Sequence, residues 1–360
     1  MKSEITHIFL GDDLTFLSRK FISLIIATSA LTHRFVIFTA DKSWSDWNDF
    51  FASMGIASNR FLLLRTCNGK KGVWRGRRIC DTIRLLMFSS PHILSHRRHY
   101  NLFLLLMVKL SGKNISFMSW GDIPNIEHGF RRIIQILKFK CYTFGLVQIS
   151  SEETLFKNLY PKLNLITRPY MRDNSKVLAL CENMVRPGRC LLIGNNCWYY
   201  HLYGDILGRL NWDHWDKVIC MLNYGNDTQR DGINDFCNRM KVLYGDKLVL
   251  WETNLPFNEY LIRIQECSTY IFPGTTQGGI DLTYNMLLMG KRVVCKGVNY
   301  KWLKDIGCTV DNLDEFELNR CGLLPPLSEN EVENNRRIVC EWTSMSQKNI
   351  DRWDRVYWRL

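Results

Sequence analysis

The sequence contains none of the short signatures that would declare a bound metal, a hydride carrier or an ATPase. Its 13 cysteines include no C-x-x-C pair and no Cys/His zinc spacing. Their odd total leaves no complete disulfide framework, which fits a reducing compartment. No G-x-G-x-x-G follows a candidate strand and no G-x-x-x-x-G-K-[ST] occurs, so a dehydrogenase and a P-loop NTPase are set aside. There is no D-x-D triplet, and Asp12 and Asp13, being adjacent, point to opposite sides of an extended chain. Neither a metal nor an organic cofactor is therefore expected. The apolar run Phe21–Leu31, between Arg19-Lys20 and His33-Arg34, is too short to span a bilayer and reads as a core helix. Glu4 stands before any apolar stretch and no small-residue cleavage site follows, so no secretory leader is expected. Internal repeats, low-complexity tracts and nucleic-acid motifs are also missing.

What is present is a packed protein. At 360 residues, with 46% apolar and 12% aromatic side chains, the chain has material for two domains, each with its own core. A net charge of +12 attracts something anionic: nucleic acid, an acidic bilayer surface or a phosphorylated substrate. The sign alone does not choose among them.

From Arg189 onward, apolar runs alternate with amphipathic stretches. Arg189–Gly194, Lys217–Leu222, Lys247–Trp251, Thr269–Phe272 and Arg292–Cys295 read as strands of a parallel sheet with helices on both faces. The first half repeats the rhythm at Ile5–Leu10, Phe35–Thr39, Phe61–Leu64, Ile115–Ser119 and Leu146–Ser150. The expected domains are 1–170 and 189–326, with a Pro/Gly-punctuated linker over 169–188. A polar, helix-compatible segment, 327–360, is expected to pack back on the first domain.

In open α/β sheets ligands bind beyond the carboxyl ends of the strands. Four segments of the second half lie there: Gly194-Asn195-Asn196, Asn223-Tyr224-Gly225, Leu255-Pro256 with Tyr260 on the helix beyond, and Thr275-Thr276-Gln277-Gly278-Gly279. The last leads into the helical pattern Ile280–Met289. Unpaired N–H groups at such a helix start, with glycine permitting close approach, suit a diphosphate, although a plain strand-to-helix turn uses the same residues. In the first half Asp12, Asp13, His96 and Asp122 are candidate proton acceptors. Each has an ordinary alternative, as a helix cap or a surface histidine. Lys70, Lys71, Trp74, Arg75, Arg77 and Arg78, then Arg97, Arg98 and Tyr100 beside Leu102–Val108, mix cations with aromatic and aliphatic residues, as a bilayer interface requires. A solvated helix face is the plainer reading.

Several motifs resemble the bacterial 4-acetamido-4,6-dideoxygalactosyltransferase family, glycosyltransferase family 56. His7–Asp13 resembles its opening strand and acidic turn, Trp120-Gly121 with Asp122 its W-G-x-D segment, and Ile193–Asn196 its V-G-N-S turn. Phe257-Asn-Glu-Tyr260-Leu with Cys267 resembles its F-D-x-Y-L…C helix. Gln277-Gly278-Gly279-Ile280 falls on Q-Q-G-I, with Gly290 closing the helix. The likeness runs over most of the chain and is strongest in the second half. Thr276, Gly278 and Asp281 depart from the family's arginine, second glutamine and glycine, which points to an O-antigen or capsule relative. The resemblance implies a GT-B fold, two Rossmann-like domains facing each other across a cleft. It implies a metal-independent transferase at the cytoplasmic face of the inner membrane, moving a deoxyamino sugar from a dTDP-sugar to an undecaprenyl-diphosphate-linked saccharide. It places donor binding on Asn195, Tyr224, Gln277, Gly279 and Ile280, and an acceptor-side role on Asp13, His96 and Asp122. Two other functions fit the composition: a nucleotide-sugar epimerase of the same fold, and a non-catalytic polyanion-binding protein. A nucleic-acid partner is not expected.

Overall fold

The computed structural model describes residues 4–10, 16–39, 44–65, 78–96, 102–119, 129–169, 171–182, 188–195, 199–223 and 230–357. Its contacts divide the chain into two units, Met1–Arg172 with Met345–Leu360, and Asp173–Ser344.

The first unit carries β1 (Glu4–Leu10), β2 (Thr32–Thr39), β3 (Phe61–Arg65), β4 (His92–Ser95), β5 (Asn114–Met118), β6 (Gly145–Val147) and β7 (Leu165–Thr167). They lie in the order β3-β2-β1-β4-β5-β6-β7, and every pairing is parallel. Parallel neighbours need crossovers, and helices supply them. The second unit repeats the plan with β8 (Cys190–Ile193), β9 (Lys217–Met221), β10 (Leu248–Trp251), β11 (Thr269–Phe272), β12 (Arg292–Cys295) and β13 (Asp311–Asn312), in the order β10-β9-β8-β11-β12-β13. Every residue of β8 and β11 is buried, as expected of central strands covered on both faces.

Both sheets reverse direction at one place, between β1 and β4 in the first and between β8 and β11 in the second. That reversal opens a ligand site at the carboxyl edge of such sheets. β4 does not appear among the sequence-based strands: preceded by Pro91, it has only Ile93 and Leu94 between polar His92 and Ser95, too small an apolar run to read. β7 and β13, of three and two residues, are likewise too short to read. Two other expectations are corrected: Ser150 starts the helix Ser150–Leu159 rather than ending a strand, and the 169–188 linker contains the helix Ser175–Glu182. The apolar run near the N-terminus is helical as read, within Phe16–Thr28, with its last three residues beyond the helix end.

The segment 327–360 forms two helices that belong to different units. Glu329–Thr343 is started by a capping box between Ser328 and Glu331 and stays with the second unit. There Asn335 accepts from the Thr309 amide at 2.7 Å and donates to its carbonyl at 3.1 Å. Gln347–Tyr357 joins the first unit: buried Trp353 donates its indole N–H to the Pro169 carbonyl at 3.0 Å, and Asp354 accepts from Ser29 at 2.8 Å. Among the described residues no helix is long and apolar enough to cross a membrane.

Candidate functional site

At the reversal of the second sheet, β8 ends at Ile193 and the chain turns through Gly194. Its φ is +73°, and its amide donates to the Ile271 carbonyl of β11 at 2.8 Å. A Cβ on Gly194 would fall inside the phenol of Tyr203, so glycine is demanded twice, by backbone and by space. Beyond β11, Gly274 and Gly278 both lie against the Phe272 ring and Tyr199, and the Tyr199 hydroxyl meets that of Thr276 at 3.1 Å. Gly279, at φ +57°, caps the helix Ile280–Leu288 with no side-chain hydrogen bond. A Cβ there would stand 3.0 Å from Cγ of Asn195 and 2.8 Å from the Tyr270 hydroxyl. The turns after β8 and β11 therefore touch, through Asn195 and Gly279.

The Gly279 carbonyl accepts the first helical bond, from the Thr283 amide at 2.8 Å, and also the Thr283 hydroxyl at 2.9 Å. The first amides of the helix, from Ile280 on, have no intrahelical acceptor and carry the positive end of the helix dipole. Asp281 opposes that charge from within the first turn. The loop is braced from the next crossover. Gly297, φ +60°, starts the helix Gly297–Asp305 pressed so closely on the Thr275 backbone that no Cβ fits. The Val298 amide donates to the Thr275 carbonyl at 3.2 Å, and fully buried Asn299 donates to the Gly278 carbonyl at 2.7 Å. Lys296, just before Gly297, is 3.4 Å from the Asp314 carboxylate.

Further along the same edge, Asn223 after β9 donates to Asn254 after β10 at 3.2 Å. Tyr260 stands on the helix Phe257–Gln265 with its ring 5.8 Å from that of Trp251, and Leu255 is half-buried. Asn196, Tyr224 and Gly225 lie outside the described residues. The sequence reading found the glycine and asparagine turns but not the brace of Gly297 and Asn299, because a buried asparagine looks like any surface one in sequence. A glycine separated by one residue from the end of β12 was the available signal.

In the first unit His96 follows β4, its amide bonded to the Ile8 carbonyl of β1 at 2.9 Å. Its ring is buried, stacked on Phe9 at 4.0 Å, and its Nε2 meets Nδ1 of His7 at 3.1 Å. Nε2 of His7 meets Nδ1 of His33 at 2.9 Å. Each neutral imidazole carries one N–H, so both bonds of His7 must run in the same direction along the chain of rings. Burial pushes His96 and His33 down to about 3, with nearby Arg60 adding to the effect on His33, and holds His7 well below its usual range. No group of three or more His, Cys, Asp or Glu among the described residues is arranged to hold a metal ion. Ser119, bonded to Glu152 at 2.5 Å and through its carbonyl to Gln148 at 3.2 Å, anchors the point from which Trp120-Gly121-Asp122 departs. Asp12, Asp13 and Asp122 lie outside the described residues, as do Lys70, Lys71, Trp74, Arg75, Arg77, Arg97, Arg98 and Tyr100.

No protein-family model matches the chain, and no curated protein matches it in sequence. Solved structures do match its fold. Anabaena HepE in complex with UDP and glucose superposes at a TM-score of 0.68 with 10% identity, over 99% of this chain and 100% of that one. The N-terminal domain of Candida albicans trehalose-6-phosphate phosphatase gives 0.71 and 11% over 100% and 97%. The lipopolysaccharide outer core galactosyltransferase WaaB gives 0.65 and 12% over 99% and 100%. The fold is that of the GT-B glycosyltransferases, two parallel-sheet α/β units.

Proposed function

We propose that this chain is a glycosyltransferase that holds a nucleotide-sugar at the reversal of its second sheet and passes the sugar to a lipid-linked saccharide. The observation that carries the reading is the contact between Asn195 and Gly279 at the start of an uncapped helix. The amides there face the place where a leaving diphosphate gathers charge, so they stabilise the transition state with no metal required. The fold shared with HepE, which was solved with UDP and glucose, supports a nucleotide-sugar in that position.

Within this reading Gly194, Asn195, Asn196 and the Thr275–Ile280 segment hold the diphosphate. Asn223, Tyr224, Gly225, Leu255 and Tyr260 meet the rest of the donor. The proton of the acceptor hydroxyl goes to Asp13 or Asp122 in preference to His96, whose burial leaves it a weak base. The motifs shared with the 4-acetamido-4,6-dideoxygalactosyltransferases favour a dTDP-linked deoxyamino sugar, an undecaprenyl-diphosphate-linked acceptor, a role in O-antigen or capsule assembly, and a place at the inner membrane's cytoplasmic face.

The test has two arms. Purified protein should be stabilised against heat by dTDP or UDP, and Gly279→Val should abolish that stabilisation; indifference to every nucleotide would sink the proposal. With the sugar donor present, nucleoside diphosphate should be released only when a lipid-linked acceptor is added. Sugar interconversion without release would identify an epimerase instead.

A further inference from the structure

The helices Arg78–Phe88, Leu102–Leu110 and Phe130–Cys141 follow β3, β4 and β5 in turn. The sheet order advances in one direction through these crossovers, which places all three helices on one face. Their inward residues, among them Leu85, Leu104, Val108 and Phe139, join one core. Their outward sides are unusually apolar. Met87 and Leu110 are each 81% exposed and Phe130 is 74% exposed, with Phe103, Ile133 and Leu137 also open to solvent. Eight of the thirteen exposed large hydrophobic side chains among the described residues stand on these three helices, so the exposure is a local patch and not the usual scatter.

The charge around the patch has one dominant sign. Phe130–Cys141 carries Arg131, Lys138 and Lys140 and no acid, besides Arg132, which is turned onto Tyr160 and the Leu159 carbonyl; Leu102–Leu110 carries Lys109 and no acid, and Arg78–Phe88 has Asp81 as its one acid. On the first of these helices Phe130, Ile133 and Leu137 fall at positions i, i+3 and i+7, one stripe flanked by cations. We infer that this face docks on an anionic lipid bilayer, with the apolar stripe in the headgroup boundary and the cations on lipid phosphates. A second copy of the chain suits it less, because a two-fold interface would bring the same cations against one another. The inference adds the membrane side to the proposed transfer, whose acceptor is lipid-linked, but it stands on different residues from the donor site.

The experiment is co-sedimentation of the full chain with phosphatidylcholine vesicles, with and without phosphatidylglycerol. Partitioning should require phosphatidylglycerol and weaken with salt. Ile133→Asp with Leu137→Asp should weaken it about a hundredfold, from two apolar anchors lost, and Lys138→Gln or Lys140→Gln roughly fivefold each. Met87→Asp with Leu110→Asp, at positions too exposed to matter for folding, should weaken it in the same direction. The inference is overturned if the wild-type chain stays in solution, binds both vesicles equally, or partitions no better than these variants. It is also overturned if sedimentation velocity shows a dimer that the same variants dissolve. A chain that binds vesicles but no nucleotide would keep this inference and lose the transferase reading.

Discussion

Gly194 and Gly245 share a left-handed backbone, at φ +73° and +57°, yet a methyl group at Gly194 would enter the Tyr203 phenol while one at Gly245 would meet nothing within 4 Å. Gly245→Ala should therefore cost only the backbone penalty, about 1 to 2 kcal/mol. Gly194→Ala adds overpacking and should cost about 2 to 5 kcal/mol. Equal urea midpoints for the two variants would refute the steric argument. The three histidines make a second prediction, of opposite character because it depends on pH. In the unfolded chain they take up protons below about pH 6.5, whereas in the fold His33 and His96 resist protonation until about 3. Between those values the unfolded state binds more protons, so stability is complete above about pH 6.5 and falls as the pH drops towards 3. At pH 5 each of the two contributes a loss of about 2 kcal/mol, and His7, held well below its usual range, adds to it in the same direction. Calorimetry at pH 7 and pH 5 should show the first unit's transition moving down, and an unmoved transition would refute the role of burial. His96 was legible in the sequence as a histidine among arginines. His7 and His33 were not, because nothing in a strand of mixed residues marks which position faces a neighbouring ring.

At the scale of elements, the helix Gly297–Asp305 acts on the candidate site without belonging to it. Gly297 lies on the Thr275 backbone and Asn299 holds the Gly278 carbonyl, so the loop proposed to hold the diphosphate is shaped from behind. Gly297→Ala should push the loop outward and weaken nucleotide binding tenfold or more, about 1.4 kcal/mol. Asn299→Ala should weaken it by a smaller factor, since one hydrogen bond is lost and no atom is added. Nucleotide titrations followed by thermal shift measure both, and unchanged affinity in Gly297→Ala would move the site elsewhere. The elements themselves were largely readable: β11 and β12 have the ends the sequence suggests, and the helix after Gly279 begins at Ile280 as its pattern predicts. What the sequence hid were the short strands. β4 matters most among them, because it completes the reversal in the first sheet and positions His96. Unlike the equally short but almost wholly apolar β8 and β11, β4 sets only Ile93 and Leu94 between His92 and Ser95, and its pairing with β1 and β5 is a long-range fact.

For the whole molecule, the chain passes between the units twice, after Arg172 and again after Ser344. Composition and alternation announce two α/β domains, and the polar segment 327–360 reads as returning to the first; that only its last helix does so, while Glu329–Thr343 stays with the second unit, is decided by tertiary contacts that no local pattern encodes. Those contacts are specific. Trp353 is 3% exposed, sits edge-on to Phe21 at 6.3 Å and bonds the Pro169 carbonyl, while Asp354 bonds Ser29. Trp353→Ala opens a cavity among first-unit residues and should cost about 3 to 5 kcal/mol there. Because multidomain chains unfold in more than one step, the loss should appear as a downward move of one calorimetric transition. The one to move should be the acid-sensitive transition that holds the histidine chain. The other transition, that of the unit proposed to bind nucleotide, should stay in place. If instead that transition moved, the final helix would belong energetically to the second unit, and the division of the chain at Ser344 would have to be redrawn.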